Sequence, residues 1–71
     1  DQRLNDGGNI PKGAIIIGSN AFIGGFTTIL KNVNIGENSV IGARSLVTRD
    51  VPPFEIWGGV PAKLIKKIPI I

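Results

Sequence analysis

Ile17-Gly-Ser-Asn-Ala-Phe, Ile23-Gly-Gly-Phe-Thr-Thr, Ile29-Leu-Lys-Asn-Val-Asn, Ile35-Gly-Glu-Asn-Ser-Val, Ile41-Gly-Ala-Arg-Ser-Leu, Val47-Thr-Arg-Asp-Val-Pro: set in rows of six, residues 17–52 of this 71-residue chain repeat themselves. The first column is Ile or Val in every row. Gly fills the second column at 18, 24, 36 and 42, and the fifth is small or β-branched throughout (Ala21, Thr27, Val33, Ser39, Ser45, Val51). A fixed short period marks a solenoid, in which each repeat buries its apolar face against the next.

On an α-helix six residues turn through about 600°, so an Ile at every sixth position visits three sides of the cylinder and makes no stripe. On an extended chain six is even, so the first column points one way from the pleat, and the fifth column, four residues later, shares that direction. Both columns then face one interior. The chain must bend once per row, and the fourth column offers residues that tolerate positive φ, namely Asn20, Asn32 and Asn38, with Gly supplying freedom beside them. Phe22 and Phe26 fall outside the interior columns and are expected to project from the coil, as contacts between subunits or with a ligand.

A chain of 71 residues is close to the size at which a lone core barely suffices, and it has no Cys to staple it. No apolar run approaches the ~18 residues of a membrane span and no signal-peptide pattern opens the chain, so the expected location is the cytoplasm. The net charge of +3 is concentrated in Lys63, Lys66 and Lys67. That is a local patch suited to an anionic small molecule. Nucleic-acid binding would need a basic stripe or a recognised motif, and neither is present.

The hexads resemble those of the left-handed parallel β-helix acyltransferases. The runs Phe22-Ile23-Gly24-Gly25, Ile41-Gly42-Ala43-Arg44-Ser45-Leu46-Val47-Thr48-Arg49-Asp50-Val51-Pro52-Pro53 and Gly59-Val60-Pro61-Ala62-Lys63 are similar to the C-terminal end of O-acetyltransferases of the maltose, galactoside and capsular-polysaccharide type. Hexads alone also occur in γ-type carbonic anhydrases and nucleotidyltransferase tails. A zinc site of the anhydrase kind lacks its ligands here, since the chain has neither His nor Cys.

The resemblance implies an all-β, left-handed parallel β-helix of about two turns. Three hexads close a turn, stacking Ile17 on Ile35, Ile23 on Ile41 and Ile29 on Val47. Residues 1–10 are expected to form a loop, 11–52 the coil, with Pro11–Ile16 as an irregular first hexad, and 53–71 a terminal strand and a short helix. Pro52-Pro53 is expected to stop the repeat, and Phe54–Trp57 to add a last strand ending at Gly58-Gly59. Pro61 suits the first position of a helix over residues 62–68, with Leu64, Ile65 and Ile68 docked and Lys63, Lys66 and Lys67 facing out.

The resemblance further implies a homotrimer that takes acetyl-CoA as acyl donor and a sugar or polysaccharide as acceptor. Carried over position by position, the cofactor contacts are Gly25, Ala43, Thr48, Arg49, Lys63 and Lys66. Gly25 and Ala43 leave room for the pantetheine arm, and the cationic side chains meet the phosphates. Where many relatives carry Trp and Ser around the first of these positions, this chain has Phe22 and Gly25, so no hydroxyl contact is available at residue 25. Acetyl transfer needs a base, usually His, and the chain has none. The catalytic His is expected upstream, so this segment is expected to be inactive alone. Asp1, Asp6, Glu37, Asp50 and Glu55 form no evident acid–base pair and read as solvated corner residues, so no catalytic residue is assigned. The alternative is a trimerising β-solenoid with no catalytic role.

Overall fold

The computed structural model describes residues 12–70; the loop expected over residues 1–10, and Pro11 at the head of the first hexad, lie outside them. Six two-residue strands follow the hexads: β1 Ile16–Ile17, β2 Phe22–Ile23, β3 Thr28–Ile29, β4 Asn34–Ile35, β5 Val40–Ile41 and β6 Leu46–Val47. Each joins a sixth-column residue to the first-column residue after it. Neighbouring strands in the chain do not pair with one another. Each pairs in parallel with the strand one turn on, placing Ile17 against Ile35, Ile23 against Ile41 and Ile29 against Val47. Three narrow sheets therefore enclose a prism, and the fold is a left-handed parallel β-helix. Among the described residues no helix is long and apolar enough to cross a membrane.

The bends lie where the fourth column placed them. Asn20, Asn32 and Asn38 have φ of 60°, 67° and 56°, and Phe26 and Arg44, in the same column, both have φ of 59°. The repeat geometry imposes the left-handed conformation whatever the side chain, at a cost of about 1–2 kcal/mol for an ordinary L-residue. The second-column glycines serve a different purpose from the one expected, for none has positive φ. A Cβ on Gly18 would lie 2.6 Å from Glu37 N, and one on Gly24 2.5 Å from Ala43 N. Gly is needed there because the next coil's backbone rests on it. Leu30 and Thr48 stand in the same column at the remaining corner.

Inside, Val33, Ile35, Ile41, Val47 and Val51 are sealed, whereas Ile17, at the open end of the first coil, is 41% exposed. Burial thus grows as coils stack on both sides of a residue. Ser39 and Ser45 sit in the interior column because each hydroxyl donates to a local carbonyl, that of Gly36 and Gly42 respectively, at 2.7 Å. Phe22 and Phe26 project as expected, 65% and 87% exposed.

Two expectations for the end of the chain are corrected. The ladder does not stop at Pro52-Pro53; it crosses them with a changed register. Val51 bridges to Ile35, and strand β7, Glu55–Gly59, pairs in parallel with β5, Ile56 to Val40 and Trp57 to Ile41. The offset between stacked residues falls from eighteen to sixteen, so Val51, the fifth-column residue of the hexad count, takes a first-column place. Phe54 falls in the column of Asn38 and has φ of 59°. Prolines are tolerated because the ladder bonds here fall to neighbours: Gly36 N–H donates to Val51 O at 2.7 Å and Phe54 N–H to Glu37 O at 3.0 Å.

The second correction concerns residues 62–68, which are not helical. Strand β8, Ala62–Lys67, runs antiparallel to β7 after a turn through Gly59, at φ 104°, and the cis Val60–Pro61 bond. Strand β7 presents an edge of unpaired backbone groups, and a returning strand satisfies a row of them. Seven residues of helix would leave that edge open and could not hold themselves together. Leu64 and Ile65 remain exposed, so the docked apolar side anticipated for a helix is not formed.

Candidate functional site

The corner after β6 is two residues shorter than its counterpart one turn earlier, since Val47 is followed by Val51 where Ile29 is followed by Ile35. Elsewhere the sixth-column N–H donates to a backbone carbonyl, as Ile16 does to Val33 O and Phe22 to Ser39 O. At Asn34 that acceptor is replaced by a side chain, and the N–H donates to Asp50 Oδ1 at 2.9 Å. Asp50 is thereby tied into the ladder, leaving Thr48 and Arg49 free at the outside of the corner.

A cavity of about 200 Å³ opens beside them, lined by Thr48, Arg49, Trp57 and the first residues of the hairpin's return, Pro61 to Leu64. Its floor is apolar: Trp57 and Ala62 are buried, with Pro61 and Leu64 alongside. The Thr48 hydroxyl and the Arg49 and Lys63 cations line the exposed rim. The indole is held by its Nε1–H, which donates to Glu55 Oε1 at 2.9 Å. Glu55 is 9% exposed, so it is an interior acceptor and not the solvated corner residue expected of it. Two cations and a hydroxyl over a flat apolar floor suit a ligand with anionic groups beside a planar or aliphatic portion.

Gly25 and Ala43 lie elsewhere, at the corner between β2 and β3 and the one stacked on it between β5 and β6. They form an open shelf. A Cβ on Gly25 would meet nothing within 4 Å, and Arg44 N–H donates to Gly25 O at 2.9 Å, locking the two corners together. Beside the shelf the Arg44 guanidinium lies over the Phe26 ring, 5.2 Å from its centroid.

The six residues expected to contact a cofactor therefore divide. Thr48, Arg49 and Lys63 share one cavity, Gly25 and Ala43 share the shelf, and Lys66, opposite Ile56 on β8, lines neither. Trp57, Pro61, Ala62 and Leu64 were not foreseen. The last three enter through the turn at Val60–Pro61, which pairs Gly59 with Ala62 and Trp57 with Leu64 and so folds the chain back across Trp57. Among the described residues no three His, Cys, Asp or Glu side chains converge on a possible metal site.

Comparison with known proteins follows the same outline. Residues 14–49 match the family model described as bacterial transferase hexapeptide (six repeats). The galactoside O-acetyltransferase of Escherichia coli K12 is 45% identical over 65 residues, which cover 92% of this chain and 32% of that protein. A galactoside acetyltransferase solved in complex with coenzyme A is 49% identical over 78% of this chain and 28% of its own, with a TM-score of 0.76. A maltose O-acetyltransferase from Clostridium difficile 630 is 41% identical over 99% of this chain and 37% of its own, with a TM-score of 0.80. This chain spans about 28–32% of the length of the curated relatives it matches. By its hexads, its three-sided coil and the match over residues 14–49, the chain belongs to the bacterial hexapeptide-repeat transferase family.

Proposed function

We propose that these residues form the cofactor-binding part of an acetyl-CoA-dependent O-acetyltransferase acting on a sugar or polysaccharide hydroxyl. The observation that carries this reading is the cavity rimmed by Thr48, Arg49 and Lys63 over Trp57. Coenzyme A joins a phosphate-rich nucleotide to a narrow arm bearing amides. The cations suit the phosphates, and the shelf at Gly25 and Ala43, with no atoms above it, suits the arm. The relative solved with coenzyme A supports the same assignment.

Shelf and cavity lie at different corners of one coil, so a single ligand meets both most simply where two copies pack corner to corner. Three such contacts close a homotrimer and would cover Phe22 and Phe26. In the chemistry proposed, a base takes the acceptor's hydroxyl proton, the oxygen attacks the thioester carbonyl, and the thiolate leaves and is protonated. The 71 residues hold no His, so the base comes from outside them. A coenzyme A thioester donor fits a reaction in the cytoplasm.

The second reading, a non-catalytic trimerising solenoid, is favoured by the exposure of Phe26 and Phe22 alone. Titration calorimetry with coenzyme A separates the two. Saturable binding that is lost in Arg49→Ala/Lys63→Ala supports the cofactor site. Silence at millimolar ligand, in a chain shown by sedimentation to be trimeric, would overturn it in favour of the solenoid.

A further inference from the structure

The corner that carries Arg49 bears a cation on each coil below it as well. Gly13, Lys31 and Arg49 occupy one column, and a Cβ placed on Gly13 would lie 3.8 Å from the Cβ of Lys31, so the coils stack directly here. Lys12, Gly13, Lys31 and Asn32 line a second cavity of about 420 Å³, which shares no residue with the one at Thr48 and Lys63. Its backbone is fixed from coil to coil: Gly13 N–H donates to Asn32 Oδ1 at 2.8 Å, with φ of 85° and 67° at the two residues.

Lys12 and Lys31, on adjacent coils, bring two exposed cations to one cavity, and like charges on neighbouring strands disfavour each other. Among the described residues no carboxylate lines this cavity, and Asp50, beside Arg49, is engaged with Asn34 N–H. The lining holds no aromatic surface for a base or a sugar ring to stack on. What remains is a pair of point charges over a rigid polar floor, which is the chemistry that holds a compact oxyanion. We propose that Lys12 and Lys31 form an anion-binding subsite for a phosphate or carboxylate group of a small molecule. The subsite shares no residue with the cavity at Thr48 and Lys63, though it lies on the same corner, on the coils below Arg49.

The test is an amide-resolved NMR titration of the 71-residue chain, first with inorganic phosphate and separately with glucuronic acid, following Gly13, Lys31 and Asn32. Saturable shifts at these three amides are expected, and the probe that saturates at lower concentration identifies phosphate or carboxylate as the group preferred. Lys31→Ala should weaken that binding about tenfold, as loss of one charged hydrogen bond at an exposed site does. Lys31→Arg should keep it within about threefold. Lys63→Ala should leave it unchanged, which separates this subsite from the acyl-donor cavity. Both lysines are exposed and their substitution removes no core contact, so misfolding does not confuse the result. Shifts that rise linearly without saturation for both probes, or that persist undiminished in Lys12→Ala and Lys31→Ala, or that appear only near Thr48 and Lys63, would each overturn the proposal.

Discussion

Gly24 and Gly25 are adjacent, neither has positive φ, and an added methyl group should act on them in opposite directions. At Gly24 a Cβ would stand 2.5 Å from Ala43 N and 2.7 Å from Ala43 Cα. Both are backbone atoms of the next coil, held in place by the Gly24 N–H to Ile41 O and Arg44 N–H to Gly25 O bonds. Relief requires the coils to part, which stretches those bonds and opens the prism. Overpacking a well-filled site costs about 1–3 kcal/mol, and with no flexible side chain to yield, Gly24→Ala belongs near 3 kcal/mol. For a chain of this size that lowers Tm by about 12–24 °C. At Gly25 the methyl group meets nothing within 4 Å, and Gly→Ala at an unstrained position stabilises by about 0.4–1 kcal/mol through the unfolded state. Thermal melts followed by circular dichroism at one fixed protein concentration measure both, since any association makes Tm depend on concentration. Equal shifts for the two variants, or a Gly24→Ala chain within about 1 kcal/mol of wild type, would show that the coils do not rest on the second column.

Trp57→Phe should cost about 2 kcal/mol beyond any packing loss, because the buried Glu55 carboxylate loses its Nε1–H donor. Urea unfolding followed by circular dichroism reads it, the chain's one Trp being gone, and recovery of part of the loss in Trp57→Phe/Glu55→Gln checks the cause. Ser45→Ala removes the bond to Gly42 O and leaves Gly59 N–H without its Ser45 Oγ acceptor, at a cost of about 1–2 kcal/mol. Hydrogen exchange at Gly59 should accelerate in that variant and stay unchanged in Ser39→Ala. Phe26→Asn relieves the left-handed strain of an aromatic residue, about 1 kcal/mol, against about 0.5 kcal/mol for the lost contact with Arg44. The monomer's Tm should therefore rise by a few degrees while sedimentation shows weaker self-association.

The prism was legible because a period of six admits few structures. A first-column residue that is always Ile or Val, paired with an evenly spaced fifth column, is incompatible with a helix and fixes which side chains meet. Ile23 on Ile41 and Ile29 on Val47 follow at once. What escaped the period was whatever depends on contacts between coils. The glycines at 18, 24 and 36 read as sources of conformational freedom, yet their function is clearance for the backbone above, which no single row displays. Phe26 and Arg44 gave no turn signal by type, because the repeat and not the side chain sets φ there. Residues 62–68 had a plausible helical face, and tertiary pairing to the free edge of β7 overrode it. The candidate site was legible only through family resemblance. Thr48, Arg49 and Lys63 do meet, but Trp57 and Pro61 enter the cavity through the hairpin that a helix would have excluded.

The two-residue shortening after Val47 ties stability to the site. By shifting the register to sixteen it brings Trp57, not an aliphatic residue, into the first column above Ile41. An indole covers far more of the prism's end than Ile or Val could, and Ile41 and Val47 beneath it are fully buried while Ile17 at the opposite end is not. The same shift puts Glu55 in the interior column of Ser39, where a carboxylate is tolerable only because the indole N–H reaches it at 2.9 Å. Trp57 thus belongs both to the core and to the lining of the candidate cavity. At the eighteen-residue offset of the earlier coils Gly59 would fall on Ile41, and both functions would be lost together. The end cap and the candidate site are one device, and a substitution that weakens the cap should loosen ligand binding in proportion.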